Sequence, residues 1–146
     1  PKLKLSAATA KRRELRLPLQ SWKTQARGFR TNDKRLIVRT TPMAKVASAA
    51  SGRVIYRGWT MDGTKTLWIQ HGPNLFTIYK GLATTRVEPG HWVRAGTVLG
   101  KVEVQPGKKG TRSGTFRFIV SVGNPRLASS RQYPLPFAGG GNGMLR

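Results

Sequence analysis

The 146-residue chain contains no cysteine. Disulfide bonds and thiolate chemistry are therefore excluded, although a reducing compartment and a cysteine-free envelope protein both fit this absence. The chain also lacks any run near the roughly 18 consecutive apolar residues of a transmembrane helix. Hydrophobic residues make up 38% of the sequence, which is enough for the core of one domain.

Acidic residues are scarce. There are 5 Asp and Glu against 27 Lys and Arg, which gives a formal net charge of +22 at pH 7. This excess is larger than solubility requires and indicates an anionic partner, with a solvated basic surface as the alternative. Candidate anion-binding residues lie in an N-terminal arm and in a Gly-rich loop: Lys11, Arg12, Arg13 and Arg16, then Lys108, Lys109 and Arg112.

Short apolar segments separated by turn residues predict an all-β domain over residues 17–135. Residues 1–16 are predicted to form a basic arm with a short helix at 7–15, and residues 136–146 a flexible Gly-rich tail. The clearest alternation places Phe116, Phe118 and Val120 on one face of the last strand and Thr115, Arg117 and Ile119 on the other. The predicted strands cover residues 36–40, 53–59, 65–70, 75–80, 97–104 and 115–122.

Tryptophan is comparatively frequent and suggests either core packing or stacking platforms for nucleic-acid bases. In an all-β domain we expect core packing for Trp22, Trp59 and Trp68. Trp92 lies in a turn between His91 and Arg94, so it is predicted to be exposed.

A series of short motifs follows in a fixed order along the chain. It comprises Val46, Gly52-Arg53-Val54, Trp59, Ile69-Gln70-His71-Gly72, Thr77-Ile78-Tyr79, Leu82, Val87-x-Pro89-Gly90-x-x-Val93-x-x-Gly96-x-Val98-x-Gly100, Phe116-x-Phe118 and Asn124-Pro125. In order and spacing these motifs resemble the lysostaphin-type, or LytM-like, zinc endopeptidase domain. The resemblance implies an all-β barrel-sandwich hybrid, the duplicated hybrid motif. A biotinyl or lipoyl carrier shares this architecture, but no suitably framed lysine lies at a hairpin tip.

Enzymes of that family bind zinc with a His-x-x-x-Asp pair and the second His of a His-x-His motif. The first His of that motif and the His of Tyr-x-His-Leu assist catalysis. The resemblance places Asp33 and Ile37 at the first two ligand positions and Arg117 at the third. It places Gly81 and Thr115 at the two catalytic histidine positions. We therefore expect a degenerate domain that has lost its zinc ligands, with no metal and no other cofactor.

The chain has only two histidines, His71 and His91. We predict that both are structural or exposed, because two separated histidines without a third ligand do not make a zinc site. No G-x-S-x-G elbow is present and the acids are scattered, so nucleophilic catalysis is not indicated either. The sequence therefore predicts a protein that is not an enzyme.

Two functions remain. The charge favours a structural RNA-binding subunit of a large ribonucleoprotein, such as a mitochondrial ribosome in the matrix, with ribosomal RNA and neighbouring proteins as partners. The resemblance favours a non-catalytic LytM factor of the bacterial periplasm or cell envelope, which activates a peptidoglycan amidase or scaffolds division proteins. In either case Arg117, beside the former ligand positions, offers a forked donor to phosphate or carboxylate, unless it simply extends into solvent.

Overall fold

The computed structural model describes residues 2–4, 14–32, 35–61, 63–126 and 131–132. Nearly all of the described secondary structure is antiparallel β-sheet, as the alternating sequence predicts. The one α-helix within these ranges, α1 at Trp22–Gln25, is a single turn. Among these residues no helix has the length and apolar character needed to cross a membrane.

Thirteen strands are described, and they are numbered here in chain order. They are β1 (Lys2–Lys4), β2 (Glu14–Arg16), β3 (Ala26–Asn32), β4 (Arg35–Thr40), β5 (Lys45–Ala47), β6 (Gly52–Trp59), β7 (Lys65–Gly72), β8 (Leu75–Thr85), β9 (Trp92–Val93), β10 (Val98–Val102), β11 (Val104–Pro106), β12 (Arg112–Val122) and β13 (Arg131–Gln132). A 3₁₀ turn at Lys108–Gly110 lies between β11 and β12.

Eleven of the strands form one sheet, whose main path runs β3-β4-β12-β8-β7-β6-β9. Strand β10 joins β5 to β8, while β11 and β13 both pair with β12. The predicted all-β fold is confirmed, but the sheet is not closed into a barrel. In the described chain the two end strands of the path, β3 and β9, each pair with one neighbour only.

Strand β12 lies between β4 and β8 and carries the centre of the core. Phe116, Phe118 and Val120 are fully buried, as their alternation predicts. Phe118 lies opposite Leu36 on β4 and Tyr79 on β8, and the two aromatic rings have centroids 5.4 Å apart. Burying a large apolar side chain contributes about 1.5–3 kcal/mol, so this layer fixes the register of three strands.

The opposite face of β12 is the one that presents the candidate site. Arg117 is exposed and Thr115 is half-buried, whereas Ile119 on the same face is buried. This face therefore changes along the strand from polar to apolar.

Three elements differ from the predicted ones. Strand β8 continues to Thr85, because Gly81 adopts a positive φ of 98° and lets the strand turn to pair with β10. The strand expected at 97–104 is divided into β10 and β11 at Glu103, whose N–H donates to the Gly81 carbonyl instead. The end of the expected N-terminal helix is strand β2, in which Leu15 is buried in the core.

The tryptophans are placed partly as expected. Trp22 is buried and Trp68 is half-buried, while Trp92 is 75% exposed as predicted. Trp59 is 72% exposed, so its predicted core position is wrong. It lies at the last position of β6, where the Lys65 ammonium sits 4.8 Å from its ring centroid and provides a cation–π contact instead of burial.

Candidate functional site

Two of the positions assigned to zinc ligands lie directly opposite each other. Strand register pairs Arg117 on β12 with Ile37 on β4, and pairs the same arginine with Lys80 on β8. Directly opposed residues of antiparallel strands have Cβ atoms about 5 Å apart and point to the same face. The two assigned ligand positions in this row therefore carry one aliphatic and one cationic side chain, and Lys80 adds a second cation beside them.

The two positions assigned to catalytic histidines are also neighbours. A Cβ built on Gly81 would lie 2.8 Å from the backbone carbonyl oxygen of Thr115. Thr115 itself lies opposite Arg39 on β4. The structure thus brings together Ile37, Gly81, Thr115 and Arg117, whereas Asp33 lies outside the described residues.

These side chains do not fit zinc. A zinc site in a protein needs three or four nitrogen, sulfur or oxygen donors, and Ile37 offers no lone pair while the Arg117 guanidinium is permanently positive. Burial lowers the pKa of Lys80, and the nearby charges of Arg35 and Arg117 lower it further. Across the described part of the chain, no three His, Cys, Asp or Glu side chains gather as a potential metal site.

His71 belongs to a buried hydrogen-bonded chain on the core side of the sheet. Its Nδ1 lies 2.8 Å from the Ser51 carbonyl oxygen and its Nε2 lies 2.7 Å from Thr77 Oγ1. Thr77 Oγ1 is 2.8 Å from the Tyr79 hydroxyl, which also accepts the Ala49 N–H at 3.0 Å. Burial raises the pKa of Tyr79, so its hydroxyl remains neutral. A structural position for His71 agrees with the sequence prediction.

His91 lies in the exposed turn before β9, where its Nδ1 accepts the Glu88 N–H at 3.2 Å. Both histidines are thus engaged in local structure. Neither takes one of the family's ligand positions.

The predicted anion-binding residues are spread over the molecule. Arg16 is exposed and donates to the Ala95 carbonyl, and Arg112 is exposed at the start of β12. Arg117 is five residues further, about 17 Å along an extended strand. Lys109 is exposed in the 3₁₀ turn, where it adopts a φ of 57°. The side chains of Lys11, Arg12, Arg13 and Lys108 lie outside the described residues.

Peptidase family M23 matches residues 33–121, which is more than half of the chain. This chain belongs to peptidase family M23. The resemblance to lysostaphin-type metallopeptidases is therefore confirmed. No match was found among curated proteins.

Solved structures of M23 proteins share the fold. Lysostaphin from Staphylococcus simulans aligns with a TM-score of 0.61 at 14% identity, over 81% of this chain and 50% of that chain. A zinc containing peptidase from Vibrio cholerae aligns with a TM-score of 0.58 at 23% identity, over 75% of this chain and 37% of that chain. The SpoIIQ-SpoIIIAH pore forming complex aligns with a TM-score of 0.57 at 14% identity, over 81% of this chain and 87% of that chain. This chain thus spans about half the length of lysostaphin.

The family match corrects the interpretation drawn from charge. M23 domains belong to a family of bacterial cell-wall hydrolases and are typically cell-envelope proteins. The predicted RNA-binding and ribosomal character is therefore wrong, and neither a mitochondrial location nor ribosomal RNA as a partner has support. An excess of Lys and Arg predicts an anionic partner but does not predict the chemical class of that partner.

Two cations and one hydroxyl on this face of the M23 domain were not predicted from the sequence. Lys80 and Arg35 lie beside Arg117, and Thr66 on β7 lies opposite Lys80. The position of Lys80 could have been predicted from the sequence, because Lys80 occupies the variable position of the Tyr-x-His-Leu motif. The positions of Arg35 and Thr66 could not have been predicted, because they depend on the register with which β4 and β7 pair with their neighbours.

Proposed function

We propose that this M23 domain acts without catalysis in the bacterial cell envelope, where it binds and activates a peptidoglycan amidase. The observation that carries the proposal is the pairing of Ile37 with Arg117 at two zinc-ligand positions. An aliphatic side chain and a guanidinium offer no donor atom to zinc. Protein binding is therefore the function that this face supports best.

A partner protein is further supported by one of the similar structures. It is a complex of SpoIIQ with SpoIIIAH, so this fold occurs in a two-protein assembly. The typical location of M23 domains supports the envelope as the compartment. The same properties fit a scaffold for division proteins, which is the second role implied by the family resemblance.

The direct test is stimulation of an amidase on purified cell wall. The full chain is added to an amidase encoded in the same genome, and release of soluble wall fragments is followed with time. We expect the rate to rise with the concentration of the chain and to saturate, because activation through a specific complex has a finite number of sites.

The matched control is polylysine at the same total charge, because a chain of +22 binds anionic wall material through charge alone. Stimulation by polylysine equal to that by the folded chain would contradict the proposal, as would no stimulation by the chain. Wall fragments released by the chain without amidase would instead show that it is itself a hydrolase.

A further inference from the structure

Three chain connections lie at one end of the sheet, which we call the hairpin end. Strands β7, β8, β12 and β4 pair antiparallel in that order, so β7 and β12 begin at this end and β4 ends there. The connections are residues 60–64 between β6 and β7, residues 41–44 between β4 and β5, and residues 107–111 between β11 and β12.

The connection between β6 and β7 holds two large apolar side chains in solvent. Trp59, the last residue of β6, is 72% exposed, and Met61 in the turn is fully exposed. The turn that presents them is closed by the Thr60 N–H, which donates to the Thr64 carbonyl at 2.8 Å. Met43, in the turn between β4 and β5, is also exposed. The hairpin end therefore carries apolar surface that gains free energy by leaving water.

Two cations and the exposed indole share a cavity at the base of this turn. Its volume is about 190 Å³, and it is lined by Arg57, Gly58, Trp59 and Lys65. The Lys65 ammonium lies 4.8 Å from the centroid of the Trp59 ring. Arg57 Nη1 lies 3.8 Å from a Glu88 carboxylate oxygen, and an exposed ion pair of this kind is weak enough to exchange for another anion.

The cavity is separate from the site that carries Arg117. Gly58 lies in the row that continues through Thr66 to Arg117. Arg57 and Trp59 alternate with Gly58 along β6, so their side chains point to the opposite face of the sheet. A ligand in the cavity would therefore not occupy the zinc-ligand positions of the family.

The rest of the hairpin end is also mainly positive. Lys109 and Arg112 are exposed in the connection between β11 and β12 and at its end. The exposed Arg27 lies beside them, because its guanidinium donates to the Arg112 carbonyl at 3.0 Å. Of the acids close in sequence to these connections, Glu103 is half-buried and Asp62 lies outside the described residues.

We propose that the hairpin end binds the surface of an anionic phospholipid bilayer. Trp59 and Met61 enter the interface, and a lipid phosphate occupies the cavity between Arg57 and Lys65. Tryptophan favours the level of the lipid headgroups, where its ring is partly apolar and its N–H stays hydrated. Interfacial binding combines the burial of a few apolar side chains with the attraction of Lys and Arg to anionic lipids.

A bilayer fits this end better than a protein partner does. A stable protein interface covers about 800 Å² on each partner around an apolar centre, whereas the apolar side chains here stand on separate turns among cations. A fluid bilayer admits a single turn without a matching pocket. Its negative surface is also complementary to a chain of +22.

The test measures cosedimentation of the full chain with two kinds of vesicle at physiological ionic strength. One is phosphatidylcholine alone, and the other contains phosphatidylcholine and phosphatidylglycerol in equal amounts. We expect binding to the anionic vesicles to be at least about tenfold tighter, because the cations act only on anionic lipid. Equal binding to both vesicles, or binding to neither, would overturn the proposal.

Trp92 provides a matched control for Trp59. It lies opposite Arg53 near the start of β6, at the other end of the sheet, and is 75% exposed. We expect Trp59→Ala to weaken binding to the anionic vesicles about tenfold and Trp92→Ala to leave it unchanged. Equal losses would show that the hairpin end is not the contact and would overturn the assignment.

The cations are tested in the same way. Arg57→Gln and Lys65→Gln are each expected to weaken vesicle binding about fivefold, because each places one charge at the lipid surface. Arg53→Gln removes the same charge at the other end of β6 and should change binding by less than about twofold. A loss in Arg53→Gln as large as in Arg57→Gln would show attraction by net charge alone and would contradict the proposed orientation.

Insertion has a spectroscopic signature of its own. Lipids with brominated acyl chains quench the fluorescence of a tryptophan that enters the bilayer interface. We expect quenching in the wild type and in Trp92→Phe, and its loss in Trp59→Phe. Quenching that persists in Trp59→Phe would overturn the assignment of Trp59.

Purified cell wall identifies a different polyanion as the partner. If Trp59→Ala and Lys65→Gln weaken binding to wall material and leave vesicle binding unchanged, the hairpin end is a wall-polymer site and the bilayer assignment fails. The inference does not depend on activation of an amidase. Vesicle binding through Trp59 without stimulation of an amidase would overturn the proposed function and leave this inference in place.

Discussion

Gly81 stands at a position that the family resemblance assigns to a catalytic histidine, and its backbone as well as its missing side chain disfavours a histidine there. Its φ of 98° lies in the region that favours glycine, and an added Cβ would lie 2.8 Å from the Thr115 carbonyl oxygen. A side chain at this position would both strain the dihedral angle and displace β12. Placing a histidine there therefore requires a change of backbone as well as of residue.

Substitution of Gly81 by alanine tests this strain. Gly63→Ala serves as the matched control, because Gly63 has a similar φ of 85° but no atom within 4 Å of an added Cβ. We expect Gly63→Ala to cost about 1–2 kcal/mol and Gly81→Ala about 3 kcal/mol, since the clash adds to the dihedral cost. The measurement is urea unfolding, and equal losses would refute the clash.

At the scale of elements, the three strands β4, β12 and β8 place like charges together. Lys80 has a lowered pKa, caused first by burial and then by Arg35 and Arg117. A lysine whose folded pKa lies below its unfolded value binds more protons in the unfolded chain, so stability rises as pH rises between the two values. The penalty is therefore fully present below the folded pKa of Lys80 and fades as pH rises from there toward 10.5, the ordinary lysine value.

Lys80→Met is consequently expected to stabilise the fold by about 0.5 kcal/mol at pH 7, since it removes two like-charge contacts. The gain over the wild type should shrink as pH rises toward 10.5. Lys23→Met, in the exposed turn of α1, removes the same net charge and should change stability by less than about 0.5 kcal/mol. Thermal unfolding at several pH values provides the measurement, and a gain independent of pH would count against the charge explanation.

Much of the fold is predictable because the strands alternate and the turns carry Gly and Pro. The spacing of Phe116, Phe118 and Val120 is enough to predict both the strand and its buried face. The extension of β8 past Gly81 is not predictable, because a glycine weakens a strand interior and only the tertiary pairing with β10 continues the strand beyond it. The grouping of Arg35, Lys80 and Arg117 could not be derived from the sequence either, because it depends on the register of the two strands that pair with β12.

At the scale of the whole molecule, the M23 fold and the side chains on the face that carries Arg117 favour different functions. The fold belongs to a metallopeptidase family, while two of the positions that the resemblance assigns to zinc ligands carry Ile37 and Arg117. Family membership establishes the scaffold, and the function has to be argued from the site.

Zinc content tests the site directly. The full chain is purified in the presence of zinc, dialysed and measured by inductively coupled plasma mass spectrometry, with the zinc containing peptidase from Vibrio cholerae treated in parallel. We expect less than about 0.1 zinc per chain, because three protein ligands are needed for a stable site. One zinc per chain would contradict both the ligand assignment and the proposed lack of catalysis.

The open edge of the sheet affects how strongly molecules of this protein associate in concentrated solution. Among the described strands, β3 pairs only with β4, and the exposed side chains of Arg27 and Arg30 lie on it. Such edges are templates for edge-to-edge association, and positive charge on them keeps a second molecule away. High ionic strength screens that repulsion, so we expect concentrated solutions of this protein to be most nearly monodisperse in dilute salt.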